Sequence, residues 1–184
     1  MNSEQTLAER CKYGDNAALK QLYEIYAGWL LGVCLRYVGD RQTAEDLLHD
    51  GFIQIFSNLD KFHWKGEGSL KAWLFKVQQN TVLSYLRKNI ERQETVSLDD
   101  GNIPNFDVAE PETVKDVPKK ILMQMIADLP VGYRTVFNMF VIDGLPHKEI
   151  ARLLGIQEKS SSSQLLHARR LLASKIIKWR NENL

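Results

Sequence analysis

Apolar residues recur along this chain at the three- and four-residue spacing of helices, with no sustained alternation of the kind a half-buried strand needs. Asp15 precedes a segment in which Leu19, Leu22, Tyr23, Tyr26, Leu30, Val33 and Tyr37 share one side, and Gly39-Asp40 stops it. An Asp there can cap the free amides of a helix, and a Gly suits the turn that ends one. Ala44, Leu47, Leu48, Phe52, Ile55 and Leu59 predict a second helix. After the loop "KFHWKGEGS" a third is predicted from about Ser69 to Lys88. It carries Leu70, Trp73, Leu74, Val77 and Thr81 along one side and Phe75, Val82 and Leu86 along another, as expected of a helix sandwiched in a bundle.

The pattern lapses from Glu91 to Pro118. There Glu91, Glu94, Asp99, Asp100, Asp107, Glu110, Glu112 and Asp116 face only Arg92 and Lys115, with Pro104, Pro111 and Pro118 interspersed. Such a stretch reads as an extended linker. Four shorter helical patterns come after it, Lys119–Leu129, Gly132–Ile142, His147–Leu154 and about Lys159 to Trp179. The expected fold is all-α, with two small helical domains over 1–90 and 119–184 joined by an acidic linker over 91–118.

The final helix opens on four consecutive serines, "KSSSSQLLHARRLL", a composition more usual in a flexible tether. On a helical wheel, however, the serines are in phase with the apolar residues that come after them. Leu165, Ala168, Leu172, Ile176 and Trp179 fall on the side to be buried; Lys159, Ser162, Ser163, Leu166, His167, Arg170 and Ser174 fall opposite. Just upstream, "HKEIARLLGI" gives a short helix burying Ile150, Ala151 and Leu154 and ending at Gly155. A short helix, a glycine turn and a longer helix form the helix-turn-helix plan, whose second helix enters the DNA major groove. Small hydroxyls let a backbone approach DNA closely and bond phosphates or base edges. Lys159, Arg169, Arg170, Lys175, Lys178 and Arg180 add attraction that ignores sequence. Ser161 falls on the packed side, where an apolar residue would be expected, which counts slightly against this plan, although a buried Ser can bond the carbonyl four residues back. The plainer alternative is a helical hairpin with a solvated basic face.

Composition changes this picture little. The 184 residues are 44% hydrophobic and 26% charged, and the net charge of +1 does not by itself announce a nucleic-acid partner. Cys11 and Cys34 form no CxxC pair and read as reduced, packed thiols. The opening "MNSEQTLAERCKYGDN" has no basic start leading into an apolar run, and nothing approaches the roughly 20 apolar residues of a membrane span. A cytoplasmic protein without a signal peptide is expected. Neither a cofactor nor a metal is expected, because no P-loop, dinucleotide fingerprint or zinc-ligand spacing is present.

Two faces in the first block carry candidate chemistry. On the second helix, Asp46, His49, Asp50 and Ile53 lie opposite the apolar stripe. Carboxylates around an isoleucine suit a protein partner, although single exposed apolar residues are common. His49 and Asp50 lack further ligands for a metal. On the third helix, Lys76, Asn80, Leu83 and Arg87 run between the apolar stripes, flanked by Trp73, and the preceding loop offers Phe62, His63, Trp64 and Lys65. Interleaved aromatic and basic groups beside an amide suit a single strand whose base has left the stack. Core packing is the competing account of these residues and the favoured one for Trp73.

Taken in order, "TAEDLLHDGFIQIFSNLDKF", "GEGSLKAWLFKVQQNTVLSYLRK", an acidic linker and "ADLPVGYRTVFNMFVIDGLPHKEIARLLGIQEKSSSSQLLHARRLL" resemble the bacterial sigma factors of the extracytoplasmic-function group, over nearly the whole chain. The resemblance implies sigma domains 2 and 4 and an initiation factor that brings core RNA polymerase to selected promoters. It implies that Asp46, His49, Asp50 and Ile53 dock on the clamp helices of the largest polymerase subunit, with His49 standing where relatives usually have Gln. It implies that Phe62, His63, Trp64, Lys65, Lys76, Asn80 and Arg87 read and open the minus-10 element by capturing a flipped base. Lys159, Ser160, Ser162, Ser163, Leu166, His167, Arg169 and Arg170 would meet the minus-35 element, without the Arg that many relatives carry at one or two of the base-reading positions. The implied partners are core polymerase, including its flap region, promoter DNA and an anti-sigma factor, in relatives frequently membrane-bound; no small-molecule substrate is implied. The linker would run near the RNA exit path, where acidic residues could mimic RNA charge. The competing class is a self-sufficient DNA-binding regulator with a helical sensor domain, distinguished by having no affinity for polymerase. An enzyme is disfavoured, since nothing pairs a nucleophile with a base.

Overall fold

The computed structural model describes residues 3–93 and 116–183, and the described residues are helices and short connections. Among the described residues eight α-helices run in order: α1 (Ser3–Lys12), α2 (Asn16–Val38), α3 (Arg41–Ser57), α4 (Ser69–Gln93), α5 (Lys119–Ala127), α6 (Val131–Phe137), α7 (His147–Leu154) and α8 (Glu158–Asn183). The chain divides into two compact units, Met1–Tyr85 and Leu86–Leu184. The all-α, two-unit architecture expected from the apolar pattern is the one observed.

In the first unit the helix limits arise from capping chemistry. The Asp15 carboxylate accepts from the amides of Ala17 at 2.9 Å and Ala18 at 3.2 Å, and Arg10 holds it from the other side at 2.7 Å. The Arg10 contact first, then the capping amides, lower the Asp15 pKa. Gly39 ends α2 with φ 81, a conformation that penalises any residue with a Cβ, and donates to Leu35 O at 2.9 Å. Asp40 immediately caps α3 by accepting from Thr43 N at 2.9 Å. One Gly-Asp pair therefore stops one helix and starts the next.

The expected stripes are buried: Leu22, Leu30, Val33 and Tyr37 of α2, and Ala44, Leu47, Leu48, Phe52 and Ile55 of α3. Two glutamines join them. Gln78 is fully buried, and its Nε2 donates to Leu47 O at 2.7 Å and to Cys34 Sγ at 3.1 Å, so α4 is fastened to both α2 and α3. Gln79 donates to the Tyr37 hydroxyl at 3.3 Å. Room for Gln78 comes from Gly51, where a Cβ would lie 1.9 Å from Gln78 Oε1. Cys34, buried beside that amide, has its thiol pKa pushed up to about 12 by burial.

The second unit packs Val117, Met125, Ile126, Leu129, Ala168, Leu172 and Ile176 into one core, with Tyr133, Phe137 and Trp179 against it. The buried Arg134 donates to Ala127 O and, at 3.4 Å, to Leu129 O, satisfying carbonyls at the end of α5.

Several expectations are corrected. The N-terminal segment, to which the apolar pattern assigns no element, forms α1, with Leu7, Ala8 and Cys11 buried. Helix α4 runs on to Gln93, so Glu91 to Gln93 are helical and not linker. Val117, placed in the linker by its acidic surroundings, is 7% exposed and belongs to the second core. The rest of the expected linker, 94–115, lies outside the described residues. The helix expected over Gly132–Ile142 is α6 continued by a π-helical turn, Asn138–Ile142, in which Asp143 N reaches Asn138 O at 2.9 Å. Helix α8 is longer than foreseen at both ends.

Gly51→Ala forces the new methyl into a buried amide and is expected to cost about 1–3 kcal/mol. A thermal melt should show the loss. A midpoint equal to that of the parent protein would mean that the Gly51–Gln78 contact is not a constraint.

Candidate nucleic-acid interface

The first candidate surface is the loop between the 3₁₀ turn Leu59–Lys61 and α4. His63 and Lys65 are exposed and Trp64 is half-buried. Phe62 is not part of the open surface. It is 2% exposed, and its ring packs on Trp73 at 5.5 Å, so this expected DNA contact is corrected to a core anchor of the loop. The favoured packing role for Trp73 agrees with this geometry. Leu83 is likewise buried, leaving Lys76, Asn80 and Arg87 as the exposed positions of the α4 strip.

Helix α1 grips this loop at both ends. Lys12 Nζ donates to the Phe62 carbonyl and lies 5.7 Å from the Phe62 ring centroid. The Glu4 carboxylate accepts from Gly68 N at 2.9 Å and from the Tyr26 hydroxyl at 3.2 Å. Within the loop, Lys65 N donates to Ser69 Oγ at 3.3 Å. Burial first, then the neighbouring Glu4 charge and its hydrogen bond, raise the Tyr26 pKa from 10.0 to about 12.

Asp46, His49, Asp50 and Ile53 all lie exposed on α3, Ile53 at 60%. Their spacing puts them on the face opposite Gly51, Phe52 and Ile55, which are buried. Among the described residues no group of His, Cys, Asp or Glu is arranged to hold a metal ion.

In the second unit α7 ends at Gly155, with φ 71 and its amide on Ala151 O, and α8 begins three residues later. The left-handed turn makes the change of direction short enough for α7 and α8 to pack together. Ser162, Ser163 and Leu166 are exposed along with Lys159 and Arg169, while Ser160 is half-buried. Ser161 is fully buried on the packed side, and its hydroxyl has a side-chain partner. Its Oγ lies 2.9 Å from His147 Nδ1 at the start of α7, and that imidazole is stacked on Phe140 with centroids 4.4 Å apart. The first turn of the second helix is thus fastened to the first turn of the preceding one.

His167 and Arg170 are more enclosed than the wheel implies. The His167 ring is half-buried and stacked on Tyr133, centroids 5.4 Å apart and planes at 18°. His167 Nδ1 and Arg170 Nε are shielded and have no hydrogen-bond partner among the described residues. Arg169 lies 6.0 Å from the Phe140 ring, a cation–π contact that restrains it. The freely presented set is therefore Lys159, Ser162, Ser163 and Leu166. Sequence reasoning missed Glu4, Lys12, Gly51, Gln78, Tyr133 and His147, which hold these surfaces from behind.

Comparison with known proteins bears on both units. Residues 22–91 match the family model for sigma-70 region 2, and residues 119–172 match that for sigma-70 region 4, together more than half of the chain. The chain belongs to the extracytoplasmic-function sigma factors. The ECF RNA polymerase sigma-E factor of Haemophilus influenzae is 25% identical to it over 183 residues, covering 95% of both proteins. The ECF RNA polymerase sigma factor SigM of Bacillus subtilis is 28% identical over 156 residues, 84% of this chain and 92% of SigM. Among solved structures, the sigma factor RpoE of Bartonella quintana, in complex with the anti-sigma factor NepR, has a similar fold, with a TM-score of 0.50 and 20% identity over 86% of this chain and 96% of its own. This sigma factor is accordingly a DNA-binding transcription initiation factor. No helix among its described residues is long and apolar enough to cross a membrane.

The Tyr26 environment predicts an alkaline limit to stability. The fold favours the neutral phenol, so below about pH 10 folded and unfolded chains both keep the proton and nothing is lost. Between about pH 10 and 12 the unfolded chain releases it first, and stability falls as pH rises. Melts of the parent and Tyr26→Phe across this window should converge as pH increases. A difference that stays constant would contradict the assignment.

Proposed function

We propose that this sigma factor works by division of labour between its two units, domain 2 and domain 4, joined by an acidic linker. The α3 face of Asp46, His49, Asp50 and Ile53 docks on the clamp helices of the largest polymerase subunit, and domain 4 engages the flap region. His63, Trp64 and Lys65, with Lys76, Asn80 and Arg87, read and open the minus-10 element, with Phe62 seating the loop. The start of α8 reads the minus-35 element, with Lys159, Ser160, Arg169 and Arg170 on phosphates and Ser162, Ser163, Leu166 and His167 towards the bases. Regulation by an anti-sigma factor belongs to the same reading, supported by the NepR complex of the Bartonella quintana relative.

The observation that carries this proposal is the exposed Ser162, Ser163 and Leu166 surface on a helix whose first turn is pinned through Ser161 to His147. Ser162, Ser163 and Leu166 are uncharged, and the exposed cations beside them, Lys159 and Arg169, neutralise few phosphates, so the surface binds weakly alone, because phosphate neutralisation dominates DNA affinity. Holding both units on polymerase raises the effective concentration of each at its target. A regulator acting without polymerase would instead bind its operator tightly by itself.

Gel shifts with promoter duplex should accordingly show little specific binding by the free protein and clear binding once core polymerase is added. Tight sequence-specific binding by the protein alone would overturn the proposal. Transcription in vitro from a promoter library should show that Ser163→Ala shifts base preference at the minus-35 element and leaves the minus-10 preference alone. A single hydroxyl contact of this kind is worth about 1 kcal/mol, or roughly fivefold in selectivity. An unchanged minus-35 preference would remove Ser163 from the interface.

A further inference from the structure

The loop that carries His63, Trp64 and Lys65 is held at its first and last residues by side chains of a single helix, α1, which the family model for region 2 does not include. Lys12 holds the carbonyl of Phe62, and Glu4 holds the amide of Gly68. These two residues lie eight positions apart on one helix, about 12 Å along its axis at 1.5 Å per residue. The spacing of the two grips is thereby set by a rigid rod. The same Glu4 carboxylate is itself fixed by the Tyr26 hydroxyl of α2. Both grips go to backbone atoms and leave His63 and Lys65 exposed.

We infer that α1 is a brace for the minus-10 reading loop, and that Glu4 and Lys12 are positioning residues which fix the loop's span so that its open side chains meet a flipped base at one height. This rests on the loop having the reading role proposed for it. A loop held only by its covalent ends would sample many spans, and the discrimination won by a contact falls as its geometry loosens. Glu4 offers the charge-assisted kind of hydrogen bond, the stronger kind, to the Gly68 amide. The brace acts on selectivity and strand opening, not on assembly with polymerase, because the α3 face is on another element.

The experiment uses the full chain with core polymerase. Selectivity at the minus-10 element is read from a randomised promoter library, and strand opening from permanganate reactivity of its thymines. Glu4→Ala should lower minus-10 discrimination by about tenfold, the worth of one hydrogen bond to a charged group, while polymerase affinity and minus-35 preference stay at the parent's level. Glu4→Gln, which keeps an acceptor oxygen, should recover most of the loss. If Glu4→Ala melts too low to assay, Tyr26→Phe removes only the hydroxyl that fixes the carboxylate and should give a smaller loss in the same direction. Lys65→Ala serves as the control for the loop's own role. A shift in minus-10 preference with Lys65→Ala but none with Glu4→Ala or Tyr26→Phe would overturn the brace and leave the proposed function standing. No shift with any of the three would overturn both. Equal losses at both promoter elements would assign Glu4 a merely structural role and also sink the inference.

Discussion

Burying a polar donor costs free energy unless it finds an acceptor, and in this sigma factor the Nε2 donor of Gln78 restricts the rotation of the helices that carry the exposed faces. Apolar stripes alone allow a helix to roll by a fraction of a turn, since one leucine packs almost as well as its neighbour. Gln78 does not allow it. Its amide must reach Leu47 O and Cys34 Sγ at once, and it passes over α3 at the residue without a side chain, Gly51. With Gly51 turned inward, Ile53 lies about 200° round the helix, at 100° per residue, and Asp46 and His49 flank it. The outward stripe is thus a geometric consequence of an inward amide.

The second unit repeats the principle with different groups. Arg134 commits its buried guanidinium to the carbonyls that close α5, and Ser161 meets His147 across the helix-turn-helix. Each such bond contributes only about 1 kcal/mol net, so these contacts are not the main source of stability. Breaking one partner costs more, because the other is left dry and unpaired. Their effect is to choose one packing among several of similar hydrophobic content.

Much of this is legible in the sequence because it depends on periodicity and caps. Asp15, Gly39, Asp40 and Gly155 do what their residue types suggest, and the stripes of α2 and α3 are buried as expected. The misses share a cause. Gln78 and Gln79 are polar, so a search for apolar spacing passes over them although both are buried. Val117 stands between Asp116 and Pro118 with no apolar period leading into it, and α1, at ten residues, has too few turns for a strong period. The π-helical turn after Phe137 adds a residue to the helical cycle and so breaks the very spacing used to find it. Phe62 reads as part of the loop it begins, yet its ring turns inward to Trp73. Contacts between residues far apart in the chain, such as Glu4 with Gly68, leave no local trace at all.

The serine run at the start of α8 divides, residue by residue, into an inward anchor and an outward display. Ser161 is committed to His147, while Ser162 and Ser163 face solvent. Mutational drift at the two outer serines therefore proceeds without a folding penalty, whereas drift at the inner one does not. On the minus-35 reading proposed for them, a duplicated copy of such a gene is free to wander in promoter preference while its scaffold stays put, a route by which one ancestral fold multiplies into parallel regulatory channels.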